Sequence, residues 1–288
     1  MIYPNIVILA GGSSSRMKSL SSTSNIDPKL IQETQQKAKS MLSVGTDDRP
    51  LLDYILFNIQ SASYKYVVIV VGEKDSSIYN YYRMQGKEKQ FSKLSISYVT
   101  QKIPSGRTKP LGTADALLIA LISKPDWKGK SFTVCNSDNL YSTNALKLLL
   151  TSQHKNAMID YDRAGLKFEQ SRIEAFAVIQ KDADGYLQNI IEKPSSEEIA
   201  TAKESSGRIG VSMNIFKLAY DEIMRFLETI PLHPIRQEKE LPLAVKLMVQ
   251  NHPRSMMTIP ISEHVIDLTN PADIIQVAEY LRKEFPKF

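Results

Sequence analysis

Gly11 and Gly12 stand directly after the apolar run of residues 5–10, and Arg16 follows four positions later. Paired glycines let the backbone turn tightly and aim N–H groups at an anion. A guanidinium adds a fixed fork of donors suited to phosphate oxygens. The same letters also describe a plain strand-to-loop turn with a surface arginine. Further on, SFTVCNSDNLYS runs an apolar stretch into polar residues and sets Asp138 just past its end. Ligands in open α/β sheets bind off the C-terminal ends of strands. A carboxylate there is a natural partner for Mg²⁺, which takes one or two carboxylates together with phosphates; the alternative is an Asp138 or Asn136 that merely shapes a turn. HVIDLTNPADI supplies a second carboxylate, Asp267. Thr269 or Asn270 is better placed than Asp267 to cap a helix opening at Pro271, which leaves Asp267 free. Asp273 suits the positive end of that helix.

Two more segments carry chemistry-bearing types. IIEKP puts Glu192 and Lys193 at the end of an apolar run, where Glu192 can accept from sugar hydroxyls and Lys193 can meet a phosphate. Exposed Glu-Lys pairs before proline are also common surface features. KPLGTADALLIAL places Gly112 and Thr113 at a helix start, where small residues admit a flat ligand and free N–H groups favour anions or base carbonyls. Leu117, Leu118 and Leu121 belong to the core face of that helix.

The elements that must position these residues alternate. Strands are expected at residues 5–10, 66–72, 95–99 and 131–136, and helices at 50–61, 76–85, 112–122 and 143–151. YVVIVVG at residues 66–72 is apolar throughout, as a strand buried on both faces requires. That β-α-β-α rhythm predicts an α/β fold, a Rossmann-like, doubly wound, mixed but mostly parallel sheet. After it come a hairpin about Asp184-Gly185, a strand in GRIGVSMNIF, helices at 219–227 and 241–250, a strand at 257–261, and a last helix from Pro271 to about Lys283. Residues 18–40, serine-rich and then rich in glutamine and lysine, read as a long loop or as a loop leading into a short solvated helix.

Composition limits the functional classes. The chain has 288 residues, 42% hydrophobic, enough for a substantial core, and a formal net charge of +5 with its basic residues scattered. No basic run interleaved with aromatics points to nucleic acid. One cysteine, Cys135, excludes an internal disulfide, and four dispersed histidines give no metal-knuckle spacing. The apolar run near the N-terminus is too short for a signal peptide, and no stretch reaches the ~20 apolar residues of a membrane span. A cytoplasmic protein that prefers small anionic molecules is expected.

Taken in order, LAGG-x-x-S-R-M, K-x-x-L-x-V-G with RPLLDY, LGTADA, a strand ending N-x-D, EKP and a late I-D before a helix resemble the sugar-1-phosphate nucleotidyltransferases. The resemblance runs from about Asn5 to Lys283 and includes the glucose-1-phosphate uridylyl- and thymidylyltransferases. It implies one nucleotidyltransferase domain over residues 1–288, with a nucleotide-binding half to about residue 155 and a sugar-binding half with the C-terminal helix beyond. It implies that a sugar 1-phosphate attacks the α-phosphorus of a nucleoside triphosphate in line, Mg²⁺-dependently, and that pyrophosphate leaves. Ala10, Gly11 and Gly12 would then hold the triphosphate and Arg16 the pyrophosphate. Gly112 and Thr113 would line the base and ribose, Asp138 and Asp267 would hold the metal, and Glu192 and Lys193 would hold the sugar and its phosphate. The family's α-phosphate lysine falls on Lys39, which keeps the downstream register, or on Lys29, which keeps the preceding proline; Lys39 is the one expected to serve. Residues 18–38 would be an insertion in the triphosphate loop. The family also suggests a homo-oligomer. The alternatives are a cytidylyltransferase acting on a non-sugar phosphate and a catalytically silent nucleotide-binding homologue. The absence of a hexapeptide repeat rules out a left-handed β-helix within this chain.

Overall fold

Val67 to Val71 offers no polar face, so both sides of that strand need cover. In the computed structural model, which describes residues 1–12, 17 and 27–288, both sides have it. The strands β1 (Asn5–Ala10), β2 (Tyr66–Gly72), β3 (Ser95–Gln101) and β4 (Ser131–Asn136) lie parallel in the order β3-β2-β1-β4. Ile8 sits opposite both Ile69 and Cys135. Because side chains alternate across a strand, Ile6 and Ile8 join one apolar cluster and Val7 and Leu9 another. The first cluster includes Leu51, Ile55 and Ile59 of a helix at Leu51–Ser61; the second includes Leu117 and Leu121 of a helix at Thr113–Ile122. Each side chain is fully buried or nearly so, which at ~25 cal/mol per Å² of apolar area makes this sandwich the main source of stability.

The described helices of nine or more residues are α1 (Pro28–Gln36), α2 (Leu51–Ser61), α3 (Thr113–Ile122), α4 (Thr143–Thr151), α5 (Tyr220–Thr229), α6 (Leu241–Asn251) and α7 (Asp273–Glu284). Residues 18–40 thus contain a real helix, α1, capped by the Asp27 carboxylate on the Lys29 N–H at 2.8 Å.

Beyond β4 the sheet becomes antiparallel. A two-residue strand β5 (Asn139–Leu140) leads away from β4, and β6 (Ala157–Asp162), β7 (Val178–Lys181), β8 (Leu187–Ile191), β9 (Gly210–Val211) and β10 (Phe216–Ala219) extend the main sheet in the order β4-β10-β6-β9-β7-β8. β11 (Met257–Ile261) pairs parallel with β6. The sheet is therefore mixed: β3, β2, β1 and β4 form a parallel block, and β11 adds one parallel pairing to the antiparallel part. β7 and β8 form the expected hairpin, with Gly185 at φ +85° in its turn.

Three local expectations are corrected. Residues 76–85 are not one regular helix: a single turn at Ser77–Tyr79 widens into a π-type turn at Asn80–Met84. The neighbours Tyr81 and Tyr82 both donate to the buried Asp53, at 2.9 and 2.6 Å, and regular helix would turn them ~100° apart. GRIGVSMNIF is not one strand either. β9 stops at Val211, Asn214 takes φ +56°, and β10 starts at Phe216. The last helix begins at Asp273 rather than Pro271. Neither Thr269 nor Asn270 caps it by its side chain; the Asp273 carboxylate instead accepts from both their N–H groups, at 2.8 and 2.6 Å. Asp273 is thus a loop fastener more than a dipole partner.

Candidate active site

The C-terminal ends of β1, β3 and β4 open on a cleft of about 680 Å³. Ala10, Gly11 and Gly12 form part of its lining. At Gly11 an added Cβ would lie 2.9 Å from Gln101 Oε1, so any larger residue there would have to displace that amide. At Gly12 nothing among the described residues lies within 4 Å of that position, and the residue is exposed. Packing thus leaves Gly12 unexplained, whereas close approach of a ligand to backbone would explain it. Arg16 lies outside the described residues.

The opposite wall is built by two segments locked together. Gly112 takes φ +104°, and a Cβ on it would lie 2.6 Å from the Lys239 carbonyl oxygen. Ala114 N–H donates to that carbonyl at 3.0 Å, and Thr113 Oγ1 accepts from Leu241 N–H at 2.9 Å. Residues 231–240 are so stapled across the start of α3. Gly112 and Thr113 both face the cleft, but the Thr113 hydroxyl oxygen is already engaged by the chain itself. Gln101, at the end of β3 and almost fully buried, spends both amide hydrogens on Gly112 O (2.9 Å) and Asp115 Oδ2 (2.8 Å). Its Oε1 is left as the group beside Gly11.

On the cleft floor Lys39 Nζ donates to Asp138 Oδ2 at 2.5 Å. Lys29 is elsewhere: it is half exposed and pairs with Asp48. The helix α1 that separates them is tied down by Glu33, whose carboxylate accepts from Ser43 N–H (2.9 Å), Ser43 Oγ (2.8 Å) and Lys37 (2.7 Å). These partners hold Glu33 ionised below its usual range against the effect of burial. They also fix the chain on both sides of Lys39.

Asp267 lies next to Asp138 through a small ribbon. β12 (Ile266–Asp267) pairs antiparallel with β5, setting Asp267 opposite Asn139, and Leu268 N–H donates to Asp138 O at 2.8 Å. Burial, then the nearby Asp138 charge, raises the Asp267 pKa; Thr269 Oγ1 and Arg172 act against that rise by donating to it at 2.6 and 2.8 Å. Arg172 also binds Asp273 at 2.5 Å. Asp267 itself borders a smaller cavity of about 170 Å³, while its partner Thr269 faces the cleft.

Glu192 and Lys193 do not line the cleft as Lys39 and Asp138 do. Burial and then the charge of Glu240 raise the Glu192 pKa, and Arg236 and Lys193 oppose the rise. Arg236 faces the cleft and pairs with Glu240 at 2.5 Å, so it connects Glu192 to the site electrostatically. Lys193 takes φ +48°, a left-handed backbone that sets the turn before Pro194.

The structure therefore gathers Ala10, Gly11, Gly12, Lys39, Gly112, Thr113 and Asp138 around one cleft, with Asp267 beside it and Glu192 reached through Arg236. Sequence reasoning missed Gln101, Arg172 and Arg236. A polar residue ending an apolar strand is a usable signal for Gln101; Arg172 and Arg236 sit in aperiodic segments that give none.

Residues 5–218 match the family model described as nucleotidyl transferase. The chain is 26% identical over 277 residues to the bifunctional protein GlmU of Methanococcus vannielii, covering 96% of this chain and 55% of that protein. It is 25% identical over 199 residues to the glucose-1-phosphate adenylyltransferase of Corynebacterium aurimucosum, covering 67% of this chain and 44% of that one. The chain thus spans about half the length of the curated relatives it matches. Among solved structures, UDP-glucose pyrophosphorylase complexed with UDP-glucose superposes with a TM-score of 0.68 at 18% identity, covering 99% of this chain and 100% of that one. The UTP-bound UGPase from Acinetobacter baumannii gives 0.69 at 18% identity, covering 100% of this chain and 95% of that one. At these identities the likeness is one of fold. Among the described residues, no helix is long and apolar enough to cross a membrane.

Proposed function

Because the chain belongs to the nucleotidyl transferase family, we propose that it condenses a nucleoside triphosphate with a sugar 1-phosphate and releases pyrophosphate. The observation that carries this reading is the Lys39–Asp138 pair in a cleft that Gly11 and the exposed backbone of Gly12 also line. A phosphate oxygen of the sugar 1-phosphate forms the new bond to the α-phosphorus. The bond from that phosphorus to the bridging oxygen breaks, and the electron pair leaves with pyrophosphate. Such a transfer asks for alignment and charge neutralisation more than for covalent catalysis.

The chain's own residues divide that work. The N–H groups around Gly11 and Gly12 receive the triphosphate, with Arg16 on the departing pyrophosphate. Lys39 leaves Asp138 for the α-phosphate, where its charge is worth most as negative charge builds up. Gln101 and the Gly112–Thr113 wall border the base and ribose. Glu192 takes sugar hydroxyls, and Arg236 with Lys193 balances the acceptor phosphate. Asp138 and Asp267 are the carboxylates that would hold a divalent cation: burial, and then the nearby Asp138 charge, raise the Asp267 pKa, and Lys39 and Arg172 already sit on the two. Mg²⁺ bound there would neutralise phosphate charge and orient the α-phosphate. The fold would act as one nucleotidyltransferase unit in the cytoplasm, and a homo-oligomer fits the family.

The test is pyrophosphate release with Mg²⁺ over a grid of nucleoside triphosphates and sugar 1-phosphates, with phosphocholine added as an acceptor. Release that needs both a nucleotide and a sugar 1-phosphate supports the proposal. Release with phosphocholine alone, or with no pair, overturns it. In the active pair Asp138→Asn should lose about a hundredfold or more in kcat, the size expected when several kcal/mol of charge stabilisation is removed.

A further inference from the structure

At the other end of the central strands lies a separate cavity of about 400 Å³, bordered by Lys130, Ser131, Ser152 and Lys217 among others. Its size suits a small molecule. It is remote from the cleft. Ser131 opens β4 at this cavity and Asn136 closes β4 at the cleft, about 17 Å away at ~3.3 Å per residue.

Lys217 is the unusual residue here. It lies on β10, opposite Thr133 of β4 and Ala157 of β6, and only 9% of it is exposed. Its ammonium donates to the Ser152 carbonyl at 2.7 Å. Among the described residues no carboxylate lies within ion-pair reach of it, whereas other shielded cations of the molecule are paired, Lys181 and Arg208 on the buried Asp160 among them. A buried charge without a counter-ion is costly and therefore rare. Burial lowers the Lys217 pKa, and no charged neighbour acts against that shift.

The acidic residues of the cavity are occupied elsewhere. Asp221 accepts from Gly129 N–H at 2.9 Å, and Glu222 accepts from Asn156 Nδ2 at 2.6 Å and lies 3.9 Å from Lys155. Ser152 Oγ accepts from His154 N–H at 3.3 Å, which leaves its own proton to donate. Two ammonium protons of Lys217, the Ser152 hydroxyl and the Lys130 side chain thus remain as donors at the cavity, with neither the Asp221 nor the Glu222 carboxylate of its lining in ion-pair reach of Lys217.

We propose that this cavity is a second anion site, distinct from the cleft, that takes a phosphate group, either free or on a small ester, with Lys217 as its buried cation. The missing counter-charge is then supplied by the ligand. The site is independent of the reaction assigned to the cleft.

Calorimetric titration of the full chain with inorganic phosphate and, in a second arm, with glycerol phosphate tests this. Lys217→Met should weaken phosphate binding at least tenfold, while Lys39→Ala, a change in the cleft, leaves that binding event in place. Without phosphate, Lys217→Met should melt no lower than the parent chain, since it removes an unpaired buried charge. Tighter binding in the ester arm, lost with Lys217→Met, identifies the ligand as a phosphate ester; tighter binding of inorganic phosphate identifies the free anion. Should Lys217→Met not fold, Lys130→Ala carries the same comparison, with a severalfold weaker affinity expected. Phosphate binding unchanged in these variants, lost only in Lys39→Ala, or absent from the parent chain overturns the proposal.

Discussion

Lys39 and Lys29 differ in what surrounds them, and the difference favours Lys39 for the proposed role. Lys39 is largely shielded and bound to a carboxylate on the cleft floor, whereas Lys29 is a solvated surface cation. Lys39→Ala should therefore cut kcat by about a hundredfold or more, and Lys29→Ala should leave it within about twofold, because the Lys29 pair is solvated and lies outside the cleft lining. Steady-state kinetics of the two variants side by side checks this, and a larger loss at Lys29 would overturn the role proposed for Lys39. Gly112 makes a different kind of prediction. Its φ of +104°, with the Lys239 carbonyl oxygen 2.6 Å from where a methyl group would sit, leaves no room for alanine. Gly112→Ala should destabilise the fold by about 1–3 kcal/mol and raise KM for the nucleotide, as seen in a denaturation curve and a substrate titration. That Gly11, Gly12 and Asp138 border one cleft was legible in the sequence because each stands just past the end of a strand. Arg236 was not, because its relation to Glu192 arises only when residues 231–240 fold across α3.

At the scale of elements, β1, β2, β4, α4 and β11 have the bounds their sequence patterns predict, since apolar runs and helical spacing there agree with the packing around them. The mismatches occur where a tertiary demand overrides local pattern: the π-type turn that delivers two tyrosines to Asp53, and the break between β9 and β10. At the second, Asn214 takes φ +56°, which interrupts the extended backbone; within β9, a Cβ on Gly210 would fall on the buried Asp160 carboxylate. The loop before β12 has a pH dependence of its own. His264 Nδ1 accepts from Lys167 N–H at 3.2 Å, and its ring packs edge-on to Phe168. Burial, then the charges of Lys167 and Arg172, pushes its pKa down from 6.5 to about 4. The folded state thus resists a proton that the unfolded chain accepts, so this group's contribution to stability is present above pH ~6.5 and is lost as pH falls toward ~4. Chemical denaturation of the parent chain and His264→Gln at pH 7 and pH 4.5 checks this: the variant should lose less stability between the two.

Across the whole molecule, one sheet runs from β3 to β8, and the last residues close back on α2. Phe285 and Phe288 each pack edge-on to Tyr54, with ring centroids 5.1 Å apart, and Phe288 also meets Phe57 at 4.5 Å and lies under the Arg49 guanidinium at 4.2 Å. Arg49 in turn holds Asp53. Phe288→Ala should therefore lower stability by about 1–3 kcal/mol, since aromatic pairs add ~0.5–1.5 kcal/mol to the area they bury, and a melting curve will show whether α2 depends on this clamp.

Attack of a sugar 1-phosphate on the α-phosphorus of a nucleoside triphosphate is the chemistry on which every assignment in the cleft depends. The most direct measurement uses a sugar 1-phosphate labelled with ¹⁸O in its phosphate, the nucleotide that supports turnover, and mass spectrometry of the products. The labelled phosphate is expected whole in the nucleotide sugar, with no label in pyrophosphate. Label in pyrophosphate, or a nucleoside diphosphate and orthophosphate in place of pyrophosphate, would contradict that chemistry.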